Sequence, residues 1–161
     1  MSTLTNLSPK AAASLEKWHA MVASKDLADI EAIIHPDATF RSPMAFKPYQ
    51  SAQAVTLLLR TVLTVFEDFA YHRQLVSEDG LNVVLEFSAR VGEKRLKGID
   101  LVQFDGEGLI VDFEVMVRPF NGLQALGAEM GARLGHLLPA TRPAPETGAN
   151  KSPRAKASGP R

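Results

Sequence analysis

One acid stands in surroundings that would make it reactive. In the run Gly98-Ile99-Asp100-Leu101-Val102-Gln103-Phe104, Asp100 is flanked almost entirely by apolar residues. Strand alternation puts Gly98, Asp100, Val102 and Phe104 on one face and Ile99, Leu101 and Gln103 on the other. With the first set turned inward, loss of water disfavours the carboxylate and raises its pKa. A carboxyl held neutral near pH 7 can donate to a ligand carbonyl, and one that titrates there suits general acid or base work. The competing reading is a structural acid tied to Trp18 or Tyr71. The other residues expected around such a hollow are Trp18, Phe40, Ser42 and Met44 from the first half of the chain. From the second half come Tyr71, Leu85, Phe87, Val102, Phe113 and Val115. Tyr71 and Arg73 alternate with His72 and Gln74, so one pair should face inward; Tyr71 is the better inward residue because its hydroxyl can serve a ligand.

Other chemistries have no foothold. The chain has no cysteine, so disulfides, thiolate nucleophiles and cysteine-held metals are excluded. His19, His35, His72 and His136 are scattered, with no His-x-x-x-His or Glu-x-x-His pair, so no metal site is expected. Gly-x-Gly-x-x-Gly, phosphate-loop and Gly-x-Ser-x-Gly patterns are missing too, and no cofactor is expected. The 161 residues carry no net charge, but residues 139–161 hold five basic residues against one acid. The rest is mildly acidic, which argues against a nucleic-acid groove. No apolar run approaches the ~20 residues of a membrane span, and the opening residues lack the order of a secretory leader. A cytoplasmic location is the expectation.

The elements that must position Asp100 can be read from periodicity. A hydrophobic fraction of 45% and a charged fraction of 22% suit one globular domain. Ser8-Pro9 caps and opens a helix to about Ser24, with Leu15, Trp18, Met21 and Val22 as its apolar stripe and His19 outside it, facing solvent. Asp26 caps a second helix carrying Leu27, Ile30, Ile33 and Ile34 and ended by Pro36. Ala38–Ser42 is a short strand, Met44–Ser51 a loop, and Ser51–Phe66 a helix apolar nearly all round, hence buried on more than one side.

From Phe69 the period becomes two. Phe69–Ser77, Leu81–Val91, Arg95–Phe104 and Leu109–Arg118 are strands joined by tight turns, among them Asp79-Gly80. Val83, Leu85, Phe87, Ala89 and Val91 share one face, as do Phe113, Val115 and Val117. The class is α+β: a cone-shaped, curved, antiparallel (mixed) sheet with the N-terminal helices on its concave face and a C-terminal helix, Phe120–Leu138. That helix carries Gly122, Gly127, Gly131 and Gly135, which weaken it by about 1 kcal/mol each relative to alanine, and it is a candidate lid. The domain runs over residues 1–138. Residues 139–161 lack large apolar side chains and read as a disordered basic tail.

Ile99-Asp100-Leu101-Val102-Gln103-Phe104-Asp105-Gly106-Glu107-Gly108-Leu109-Ile110 resembles the ketosteroid isomerases, whose pattern there is Ile-Asp, three residues, Phe-Asp, two residues, Gly-x-Ile. Asp26–Phe40, with its Pro-Asp-Ala-Thr approach to the first strand, is similar to them as well. The order of elements resembles the wider nuclear-transport-factor-2-like superfamily, with its SnoaL-like cyclases and limonene epoxide hydrolases. The resemblance covers roughly Leu15 to Leu137. It implies that Asp100 is the protonated acid that donates to a developing enolate. Ser42 falls where the isomerases hold their proton-shuttling aspartate, and Trp18 where they hold the tyrosine of the oxyanion hole. A hydroxyl cannot shuttle the proton near pH 7, so the family's full steroid mechanism is not implied.

The opposite sheet face carries Glu86, Arg90, Asp112, Glu114 and Arg118 with Ile99, Leu101 and Met116. Apolar residues there would form a patch, and the superfamily resemblance implies a homodimer through it. The leading functional expectation is binding of a small hydrophobic, carbonyl-bearing molecule with isomerase- or cyclase-like acid–base chemistry at Asp100. A non-catalytic sensor or dimerisation module, its pocket filled by Trp18, Phe66, Phe87 and Phe113, is the alternative. Epoxide-hydrolase-like chemistry would need a second carboxylate and an arginine beside Asp100; Glu114 and Arg118 point away by alternation.

Overall fold

A computed structural model of the chain describes residues 5–135. The expected tail at 139–161, the domain end at 138, His136 and the last turn of the C-terminal helix lie outside the described residues.

Helix α1, Pro9–Ser24, begins as its sequence directs: the Ser8 hydroxyl accepts the Ala11 N–H at 3.4 Å and proline occupies the first turn. Its buried face carries Ala11, Ser14, Leu15 and Trp18. The expected second helix is only a 3-10 turn, Ile30–Ile33, and Ile34 already opens strand β1, Ile34–Arg41. Pro36 therefore does not end a helix. It lies within the strand, where pairing is irregular between Ile34 and Thr39 and a missing N–H is tolerated. The loop after β1 contains a two-residue strand, β2, Tyr49–Gln50, paired antiparallel with β1. Helix α2, Ala52–Val65, follows, capped by the Ser51 hydroxyl on Ala54 N–H at 3.0 Å. It buries Ala54, Val55, Leu58 and Leu59 among others, as its broad apolar surface requires.

Strands β3 (Glu67–Val76), β4 (Asn82–Val91), β5 (Lys94–Phe104) and β6 (Ile110–Arg118) form the antiparallel meander. The six strands make one sheet in the order β2-β1-β6-β5-β4-β3, and the β1–β6 pairing is parallel, which makes the sheet mixed. Helix α3, Phe120–Leu134, packs back on α2 and on β4, β5 and β6. Register fixes where Asp100 stands: it is opposite Leu85 on β4 and Val115 on β6, in a row of inward residues. The core beside it is built from Phe104, Ile110, Val83, Val102, Ile30 and Ile33, all nearly or fully inaccessible.

Two turns hold α1, and with it Trp18, against the sheet. Ser8 N–H donates to Gly80 O at 2.9 Å, and the buried Ser14 hydroxyl donates to Gly108 O at 2.5 Å. Gly108 has φ +80°, and a Cβ there would fall on the Lys10 carbonyl. Left-handed backbone costs a residue with a side chain about 1–2 kcal/mol, and the collision adds to it. Gly108→Ala should therefore lower unfolding stability by roughly 2–3 kcal/mol. Gly92→Ala, at φ +56° with open space around it, should cost about 1 kcal/mol. Urea unfolding of the two variants checks the difference.

Candidate functional site

Between the concave sheet face, α2, α3 and the β1–β2 loop lies a cavity of about 560 Å3. This is within the range of roughly 300–1,000 Å3 of small-molecule pockets, and among the described residues the side chains that the alternative reading has filling it, Trp18, Phe66, Phe87 and Phe113, leave it open. Its buried end holds Trp18, Tyr71 and Asp100; at its exposed end stand Met44, Phe46 and Lys47. Among the described residues, Asp100 is the only acid and Lys47 the only base in its lining.

Trp18 Nε1–H donates to the Tyr71 hydroxyl oxygen at 2.9 Å, and the Tyr71 hydroxyl donates to Asp100 Oδ2 at 2.6 Å. Asp100 is 6% exposed. Burial pushes its carboxyl up to about 7, against a smaller downward pull from the Tyr71 hydrogen bond. Burial first, then the neighbouring carboxylate, holds the Tyr71 hydroxyl well above its ordinary value. One Asp100 oxygen meets Tyr71, as the structural reading expects, and the residue also lines the cavity.

Of the other expected lining residues, Phe40, Ser42, Met44, Phe113 and Val115 are in the wall. Phe113 meets Trp18 edge-on at 5.5 Å and stacks on Phe40 at 6.0 Å. The Ser42 hydroxyl accepts the Met44 N–H at 3.0 Å. Leu85, Phe87 and Val102 face inward but are not in the wall. Leu85 and Val102 are packed in the same core cluster as Leu15 and Trp18. Phe87 is covered by Phe69, stacked at 5.2 Å, and by Phe66 at 5.5 Å, and these two form the wall in its place. Leu58, Leu59, Val62 and Leu63 of α2 and Met130 and Leu134 of α3 also line the cavity. The all-round apolar character of α2 was the signal for the first group.

Two orientations differ from strict alternation. Strand β3 carries an extra residue between Tyr71, opposite Phe87, and Gln74, opposite Leu85. A bulge changes the facing of everything beyond it, so Tyr71 and Gln74 turn inward while Arg73 pairs with Glu86 on the outer face. His19 is half-buried rather than solvent-facing: it meets Tyr71 edge-on at 5.2 Å and Gln74 at 3.1 Å, and burial lowers its pKa.

The opposite face holds Arg73, Glu86, Lys97, Ile99, Met116 and Arg118 around a shallow groove. Arg73 and then Lys97 draw the Glu86 carboxyl down to about 2. Arg118 and Glu114 are absent from the cavity wall, as alternation predicts. No group of three or more potential metal ligands occurs among the described residues, and no helix there is long and apolar enough to cross a membrane.

A curved mixed sheet around an apolar hollow, backed by helices, defines the nuclear-transport-factor-2-like class. The SnoaL-like domain model matches residues 15–113, and the chain belongs to that family. It is similar to a steroid delta-isomerase from Pseudomonas aeruginosa, with 65% identity over 80% of this chain and 94% of that one, TM-score 0.79. A protein with a cystatin-like fold from Silicibacter pomeroyi DSS-3 is 33% identical over 76% of this chain and 86% of that one, TM-score 0.71. An NTF2-like protein from Mesorhizobium loti shares the fold at 15% identity, over 70% of this chain and 93% of that one, TM-score 0.62. No curated protein matches the chain.

The buried acid has a thermodynamic signature. Between an ordinary carboxyl value of 3.8 and about 7, the native state holds a proton that the unfolded chain has released. Stability from this group is thus complete below about pH 4 and is lost as pH rises toward 7. The loss is on the order of 4 kcal/mol. Urea midpoints measured from pH 4 to 8 should fall more steeply for the wild type than for Asp100→Asn, which cannot ionise, and the variant should be the more stable of the two above pH 7.

Proposed function

We propose that this protein binds a small hydrophobic, carbonyl-bearing molecule and promotes a cofactor-independent proton shift or ring closure beside that carbonyl, with Asp100 as polar anchor and acid–base group. The observation that carries the reading is a single carboxyl, raised to about 7, on the wall of an open and mostly apolar cavity. In its neutral form it anchors the ketone by donating to the carbonyl oxygen; in its ionised form it takes the proton from the carbon beside the carbonyl and returns it to another carbon of the resulting enolate, so that one group carries the proton throughout. Both forms are available near neutrality. The strong likeness to a protein described as a steroid delta-isomerase supports a polycyclic ketone as the first candidate. Ser42 supplies no carboxylate at the position where the isomerases have theirs, so proton transfer falls to Asp100.

Screening steroids, polyketides and terpenoids by thermal shift and native mass spectrometry should select ketones. Isomerisation of a β,γ-unsaturated ketosteroid is followed by the rise of conjugated-enone absorption. Asp100→Asn should retain the fold and lower turnover by about 10²–10⁴-fold. Unchanged turnover and affinity in that variant would remove Asp100 from the chemistry.

A further inference from the structure

We propose that Trp18 is a positioning residue: its indole N–H fixes the Tyr71 proton on Asp100 Oδ2, leaving Oδ1 as the single proton-bearing atom that Asp100 presents to the cavity. The inference rests on the reading of Asp100 as the site's polar group and specifies how that group is aimed.

An indole N–H can only donate. Bonded to the Tyr71 oxygen at 2.9 Å, it requires that oxygen to accept. The hydroxyl has one proton, and Asp100 Oδ2, at 2.6 Å, is the other partner in reach. With the Tyr71 proton given to Oδ2, Oδ2 accepts, and a proton on Asp100 belongs to Oδ1. Among the described residues no donor reaches Oδ1. Among the described residues no side-chain nitrogen or oxygen is both sealed from solvent and without a partner, so Oδ1 opens onto the cavity. With Trp18 and Tyr71 committed to each other, neither is free to donate to a ligand as well. At its buried end the neutral site accordingly offers one donor, to a single acceptor atom of an otherwise apolar molecule.

The titratable surroundings are few. Tyr71 comes from β3, and His19 on α1 meets the Tyr71 ring. Tyr49 and Lys47 lie along the cavity, while β4 and β6 present Leu85 and Val115. Helices α2 and α3 place no charged side chain in the wall.

The test is a titration cycle on the free protein. The Asp100 carboxyl is followed by 13C NMR with labelled aspartate and assigned by Asp100→Asn. The N–H that polarises Tyr71 makes it a better donor and favours the carboxylate, so Trp18→Phe should raise the Asp100 midpoint by about half a pH unit or more. Tyr71→Phe should raise it further. In the Tyr71→Phe background, Trp18→Phe should change nothing, since its only route to Asp100 is gone. Should Trp18→Phe not fold, a benzothiophene in place of the Trp18 indole keeps the shape without the N–H. An unmoved midpoint, or an equal shift in both backgrounds, would overturn the inference.

A second arm uses 2-acetylnaphthalene, an acceptor-only ketone. Its affinity for the wild type should fall about tenfold from pH 5.5 to 8.5 as the Oδ1 proton is lost, and stay level for Asp100→Asn, whose amide donates throughout. Failure of this ketone and of the wider ketone series to bind, with the titration cycle intact, would sink the proposed function while leaving the role of Trp18 in place.

Discussion

Everything distinctive about this molecule follows from placing a carboxyl where water cannot reach it freely. A buried, unpaired carboxylate is costly enough that the group neutralises instead, and Asp100 does so with a single hydrogen-bond donor, Tyr71, at its back. Among the described residues no arginine or lysine stands beside it to hold the charge. The arrangement is thus poised between two protonation states, which is of little use to a core and of direct use to a site that must bind or move a proton.

Holding that balance requires scaffolding on three sides. The β4–β5–β6 register sets Leu85 and Val115 against Asp100. The bulge in β3 brings Tyr71 over the carboxyl and sends Arg73 to the outer face, where its charge pairs with Glu86 rather than entering the cavity. Helix α1 delivers Trp18, and it is pinned by hydrogen bonds to the turns at Gly80 and Gly108 rather than by apolar contact alone. The opposite side of the hollow is walled by apolar residues of α2 and α3, so the buried polar groups are gathered at one end.

The same distribution separates this chain from a textural reading of its relatives. Its likeness to a steroid delta-isomerase is high, yet the sequence resemblance implies that Ser42 and Trp18 fall where the ketosteroid isomerases carry ionisable or hydroxyl groups. The indole does not enter the cavity as a free donor; it is spent on Tyr71. The polar end is therefore narrower in its chemistry than a site with two donors and a separate base.

Local patterning alone determined a good deal. Period-two alternation over four strands, tight turns at Gly80 and Gly108, the Ser8 cap and the apolar run of Ser51–Phe66 specify the meander and two helices, because backbone periodicity and capping depend on neighbours in sequence. The inward face of Asp100 follows from the same alternation. What local patterning missed depends on contacts between distant segments. Ile34 joins a strand because β6 is there to pair with it. Tyr71 and Arg73 part company because of a bulge against β4, and Phe87 leaves the wall because Phe66 and Phe69 cover it. The Trp18–Tyr71–Asp100 chain joins residues 53 and 29 positions apart. Only the folded chain could decide which of Asp100's oxygens was occupied and which was left to the cavity, since that choice is made by side chains that sequence spacing does not bring together.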